Sequence, residues 1–237
     1  MKRNSKLLLA LSLLLVVFML AGCSEPTPQN NDPIPPLGQG DGNDNPDGND
    51  TPDNSDEGKG DPIPGTIEGS VHTSTYTGLT FTAPEGWVYA TDEEIATIMG
   101  VGADALKESG LNFSEEMLKL KAIYDMVASN TTTGSNIIAM YENLGLTIGG
   151  SRMSEEDYLK TLGSQLESAG MGYKIGEISD VKIAGKDYKM LTAEMGDAGV
   201  KQSYYVRKMG EKYMSCFIVS LSSADATSFE DVMANFS

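Results

Sequence analysis

The stretch Lys201–Leu221, "KQSYYVRKMGEKYMSCFIVSL", decides the fold. Its two arms are rich in aromatic and β-branched residues, and Met209-Gly210 between them is a turn signal, so the spacing predicts a β-hairpin. On the first arm Tyr204 and Tyr205 must face opposite sides of a sheet. One of them is then exposed unless both faces are covered. The second arm has apolar residues on both faces around Cys216 and reads as a strand with a buried, inert thiol.

Working outward, "YKIGEISDVKIAGKDYKMLTAEM" predicts strands joined by a turn at Ala184-Gly185-Lys186-Asp187. "SNIIAMYENL" is β-rich, "STYTGLTFTAP" is extended around Gly78, and "WVYA" is a short strand. Five stretches read as helical. In "TDEEIATIMG", Thr91 and Glu94 have the spacing of a capping box. Gly100 and Gly102 interrupt that helix, and "ADALKES" continues as a second one. "SEEMLKLKAIYDMVAS" is predicted helical from Ser114, because Met117, Leu120, Tyr124 and Val127 recur at helical spacing. "SEEDYLKTLGSQLESAG" has Ser154 as cap, a Tyr158, Leu162 and Leu166 stripe, and Gly170 as stop. "TSFEDVMANF" closes the chain, with Thr227 and Glu230 as its box. Strands joined by short turns imply antiparallel pairing. The fold class is therefore α+β, an antiparallel sheet covered by helices.

The segments "LTFTAPEGWVYA", "VKIAGKDYKML" and "QSYYVRK", separated by helical sequence, are similar to small lipoproteins of Gram-positive gut bacteria. Their domains look like PsbP, the extrinsic photosystem protein. The resemblance spans residues 74–236 and implies a PsbP-like α/β/α sandwich of unknown function, with no catalytic set to carry over.

The N-terminus carries an address. Lys2, Arg3 and Lys6 precede the apolar run "LLLALSLLLVVF", which is followed by Leu20-Ala21-Gly22-Cys23. That is the layout of an export signal, and the run is short for a membrane span, which needs about 20 residues. Leu20-Ala21-Gly22-Cys23 resembles the lipobox of bacterial lipoproteins. The resemblance implies a diacylglyceryl group on the Cys23 sulfur and cleavage before it. Two acyl chains hold a protein on a bilayer where one does not. Residues 1–22 are thus read as a lipoprotein signal peptide. Residues 23–70 are read as the lipidated cysteine plus an acidic Pro/Asn/Asp/Gly-rich tether too polar to fold. Residues 71–237 are read as an α+β globular domain.

Formal net charge is −17, and residues 24–70 hold eleven acids against one base, Lys59. Such a chain lacks the cationic surface that nucleic acid requires, while basic partners and metal cations remain open. "NDNPDGND" places Asn43, Asn45 and Asp47 before Gly48 in the manner of a calcium loop, but Asn54 stands where the bidentate Glu belongs. The acidic triplets Asp92-Glu93-Glu94 and Glu155-Glu156-Asp157, and the pair Glu115-Glu116, open helices and complement the helix dipole. No metal or cofactor is expected.

No G-x-S-x-G, H-E-x-x-H or C-x-x-C occurs. The one histidine, His72, stands at the edge of the domain beside the tether. The expectation is a membrane-anchored, extracytoplasmic, non-enzymatic binding or accessory module. Its partners are the membrane, through the lipid, and an envelope protein, peptide or glycan. Trp87, Tyr204 and Tyr205 are the candidate ligand-contacting aromatics. The alternatives are an envelope hydrolase using paired carboxylates and a solute-binding lipoprotein, for which one domain of this length is small.

Overall fold

The computed structural model describes residues 58, 60–108, 121–146, 149–169, 171–195 and 199–237. The readings at Leu20, Ala21, Gly22 and Cys23, at Asn43–Gly48, at Glu115-Glu116 and at Gly170 lie outside the described residues.

The hairpin at residues 201–221 forms the middle of a large antiparallel sheet. Its strands, Val200–Met209 and Tyr213–Ser222, pair over their whole length, Met209 opposite Tyr213, across the loop Gly210–Lys212. In chain order the strands are β1 (Thr66–Glu68), β2 (Val71–Ser74), β3 (Leu79–Thr82), β4 (Trp87–Tyr89), β5 (Ala122–Asn130), β6 (Asn136–Asn143), β7 (Tyr173–Ile175), β8 (Ser179–Ile183), β9 (Lys186–Met195), β10 (Val200–Met209) and β11 (Tyr213–Ser222). β1, β2 and β3 form a small sheet in that order. The other eight form the large sheet, ordered β4-β5-β6-β11-β10-β9-β7, with β8 also pairing β9. Among the described residues the α-helices are α1 (Asp92–Glu108), α2 (Glu155–Ser168) and α3 (Phe229–Met233). The protein is a mixed α+β fold built on antiparallel sheet.

The β8–β9 turn falls on Ala184-Gly185, the first two of the four residues expected, while Lys186 and Asp187 already belong to β9. Ala184 and Gly185 both have positive φ, 46° and 81°, the backbone that a two-residue hairpin loop needs. Thr91 and Glu94 form the expected reciprocal cap, with Thr91 N–H donating to Glu94 Oε2 at 2.9 Å and Glu94 N–H to Thr91 Oγ1 at 3.3 Å. Ser154 caps α2 by accepting from Asp157 N–H at 3.1 Å. On α2, Tyr158, Leu162 and Leu166 are buried.

Three local readings change. Gly100 and Gly102 do not interrupt α1, which is continuous from Asp92 to Glu108. A glycine inside a helix costs about 1 kcal/mol relative to alanine, less than a helix packed on a core recovers. The box on the last helix sits one residue later than Thr227 and Glu230 suggest, on Ser228 and Asp231. Residues 122–130 form strand β5, not the end of a helix. The three- and four-residue spacing that suggested a helix is overridden by pairing with β6 on one side and β4 on the other. The folded part also starts before residue 71, because β1 pairs with β2 and Asp61 accepts a 2.9 Å hydrogen bond from Tyr213 Oη.

The large sheet is covered on both faces. On one face Leu191, Tyr204, Val206, Cys216 and Ile218 pack with Leu159 and Leu162 of α2 and with Ile98 and Met99 of α1. On the other, Ile137, Tyr205, Phe217 and Val219 pack with Leu79 and Phe81 of the small sheet and Val232 of α3. Phe236 sits where these meet, its ring centroid 4.8 Å from Phe81 and 4.7 Å from Phe217.

Candidate functional site

Pairing of β5 with β6 shifts register between Tyr124 and Met126, leaving Asp125 as the extra residue of a β-bulge. Bulges re-aim side chains and gather beside functional sites. Here the bulge turns Asp125 toward the small sheet, where the side chain is almost wholly buried.

Three groups meet its carboxylate. Gly65 N–H donates to Oδ1 at 2.5 Å, Tyr141 Oη–H donates to Oδ2 at 2.6 Å, and His72 Nε2 lies 3.3 Å from Oδ1. Ser74 Oγ is 2.7 Å from Tyr141 Oη, and Thr77 N–H reaches Ser74 Oγ at 3.4 Å. Since Tyr141 spends its proton on Asp125, Ser74 donates to Tyr141. The hydrogen bonds from Thr77 through Ser74 and Tyr141 thus all run toward one carboxylate, an arrangement in which each bond polarises the next. Burial raises the Tyr141 phenol, and the neighbouring Asp125 raises it further, so Tyr141 stays a donor. Gly65 is required by space, because a Cβ there would run into the His72 ring and the Thr73 carbonyl oxygen.

Above Asp125 lies a groove of about 670 Å³. Tyr124, Asp125 and Met126 form its floor. Pro64, Gly65 and Ile67 make one wall. The start of α1 makes the other, with Asp92 and Glu93 acidic and Ala96 and Met99 apolar. No lysine or arginine lines it among the described residues. Its volume lies in the range of small-ligand sites.

A second buried polar group lies on the opposite face. Tyr158 Oη–H donates to Glu142 Oε2 at 2.6 Å, and Cys216 Sγ is 3.5 Å from Tyr158 Oη. Burial pushes the Glu142 carboxyl up, opposed by the Tyr158 bond and the charge of Lys121. Burial likewise pushes the Cys216 thiol up, so this cysteine is not a nucleophile at neutral pH.

The three aromatics singled out from the sequence do not come together at a surface. Trp87, on β4, is buried in the core beneath the small sheet. Tyr204 is 1 % and Tyr205 4 % exposed, on opposite faces of β10. Tyr204 donates to Gln202 Oε1 at 2.8 Å. Neither ring is left at a surface, because helices cover one face and the small sheet with α3 covers the other.

The residues that sequence reasoning missed are His72 and Asp125. His72 is not at an edge. It lies on β2, the central strand of the small sheet, pairs with Ile67 and Phe81, and is 3 % exposed. Its partner lies 53 residues away, in a segment that reads as helix. A signal was present, since a lone histidine followed two residues later by a serine fits a strand whose inner face is polar.

Among the described residues, no group of three or more histidine, cysteine or carboxylate side chains is placed to hold a metal, and no helix is long and apolar enough to cross a membrane. No protein-family model matches the chain, and no curated protein matches it.

Proposed function

We propose that the protein is a lipoprotein anchored through Cys23 on the extracytoplasmic face of a cell membrane, and that its folded part binds an envelope ligand without turning it over. The anchor rests on Lys2, Arg3 and Lys6, the apolar run and Leu20-Ala21-Gly22-Cys23. The observation that carries the binding reading is the groove over the β5 bulge, with Tyr124, Asp125 and Met126 as its floor and Asp92 and Glu93 on one wall. Asp125, the buried carboxylate that reaches this groove, is held by Gly65, Tyr141 and His72. It is a structural acceptor, buried and already engaged through both oxygens. That arrangement favours binding over the hydrolase reading, which needs two carboxylates free to flank a scissile bond. The PsbP-like sandwich belongs to the same proposal, supported by an antiparallel sheet with helices on its faces.

The anchor is tested in cells expressing the full chain with radiolabelled palmitate. Wild type takes up label and stays with the membrane, and Cys23→Ala takes up none and is released. Label on the Cys23→Ala protein, or a mature wild type whose Cys23 is bare by mass spectrometry, ends the reading.

A further inference from the structure

We infer that the groove over the β5 bulge receives an extended, basic peptide segment that pairs backbone to backbone with an open strand edge. The inference rests on the binding reading of this groove and supplies its ligand class.

One exposed strand edge lacks a strand partner here among the described residues. β1 is the outer strand of the small sheet, and Thr66, Ile67 and Glu68 are all exposed. β5 is paired on its outer side with β4 only over Ala128–Asn130, and Ala90 N–H extends this to the Val127 carbonyl at 2.8 Å. There the chain turns away into α1, and Ala122, Asp125 and Met126 are buried, so among the described residues the backbone edge open to a partner beside the groove is that of β1. The groove opens between β1 and α1. Strand edges with unpaired N–H and C=O groups are templates for another extended chain. Peptide-binding domains use the same edge for affinity and side-chain pockets for selectivity. A small organic cation would leave those backbone groups to water, so the geometry favours a peptide.

Side-chain chemistry decides which peptide. Successive side chains of an extended segment alternate between two sides. One set would rest on Ile67, which is 44 % exposed, and on Tyr124. The other would meet Asp92 and Glu93 on the α1 wall. With no basic residue lining the groove and a chain charge of −17, an acidic segment is repelled and a segment alternating apolar with Lys or Arg is matched.

The test uses the full chain and the peptide acetyl-Ser-Lys-Val-Lys-Val-Lys-Ser-amide, with two controls. One control has glutamate at each lysine, and the other has N-methylated valines, which cannot pair as a strand. Binding is read by calorimetry and by amide chemical shifts. The lysine peptide is expected to bind at least tenfold tighter than either control. Its affinity should fall severalfold between 50 and 300 mM salt, and the shifts should centre on Ile67 and its neighbours in β1. The variant Asp92→Asn/Glu93→Gln changes exposed side chains only and should weaken the lysine peptide at least fivefold. Equal binding of the glutamate or N-methylated peptide, with shifts in the groove, overturns the basic-strand inference and leaves the groove as a binding site. Shifts confined to residues outside the groove overturn the groove as well, and absence of binding by the lysine peptide overturns the inference.

Discussion

Tyr141 and Glu142 are neighbours on β6, yet they lead into opposite halves of the molecule. Tyr141 faces the small sheet and joins the donors converging on Asp125. Glu142 faces the helices, bonded to Tyr158 with Lys121 nearby. Both carboxylates are buried, but their surroundings differ. Asp125 sits on a bulge at the base of an open groove and ties β1 to β5. Glu142 sits in regular sheet, beneath the helix-covered face. Burying a carboxylate is costly unless donors compensate it, and the two halves answer that cost differently. The small-sheet half does so with a directed network that also shapes a site. The helix half does so with one phenol and one cation in a packed core.

The largest test of the contrast lies in the apolar contacts. Phe81→Ala removes a fully buried ring packed on Phe236 and should lower stability by about 3–5 kcal/mol. Urea unfolding should show it costing at least as much as Leu159→Ala in the helix-side core. A clearly smaller loss would mean that the small sheet is an accessory to the large one, not part of the same cooperative unit.

Next comes the network. Asp125→Ala strips the acceptor from Gly65, Tyr141 and His72 and should cost about 3 kcal/mol. Asp125→Asn, which keeps an acceptor oxygen, should cost about half that. The amides of Gly65–Glu68 should lose hydrogen-exchange protection well before those of β10 and β11. Uniform loss across the protein would show that Asp125 does not specifically hold β1.

Helix caps give smaller effects. Ser154→Ala and Ser228→Ala should each cost about 1 kcal/mol. The five-residue α3 depends more on its box than the longer α2, so its own amides should exchange faster in Ser228→Ala. If Thr227→Ala proves the more damaging, the box is misassigned by one residue.

The smallest effect is a slope. The folded-state pKa of Glu142 is raised above its ordinary 4.5, so the native protein holds this proton to higher pH than the unfolded chain does. Its contribution is complete below about pH 4.5 and is lost as pH rises through the native value. Glu142→Gln should flatten that decline, seen as a smaller difference in unfolding midpoint between pH 4.5 and pH 7. An unchanged slope would remove Glu142 as its source.

How much was legible follows from how far apart the interacting residues lie. The hairpin around Gly210, the turn at Ala184-Gly185 and the helix from Glu155 to Ser168 were readable, because alternation, turn residues and caps act within a few positions. β5 was not. Tyr124 and Val127 fit a helical stripe as well as they fit a strand, and only β4 and β6 beside them choose. Ser228 was missed for a related reason, since Thr227-Glu230 and Ser228-Asp231 have the same spacing. The aromatics were misjudged because whether Tyr204 and Tyr205 are covered depends on layers built from the two ends of the domain. The site was hidden most deeply, because no local pattern links His72 to Asp125 or makes the bulge that turns Asp125 inward.

By itself, then, the sequence determined the acidic charge and the strands and helices whose signals are local. Tertiary structure alone decided that residues 122–130 are a strand, that both sheet faces are closed and that a histidine beside a polar segment is core. The physical reason is range. Caps, turns and amphipathic stripes are settled within a turn or two of chain, whereas burial, bulges and a network joining Gly65 to Tyr141 exist only after distant segments meet.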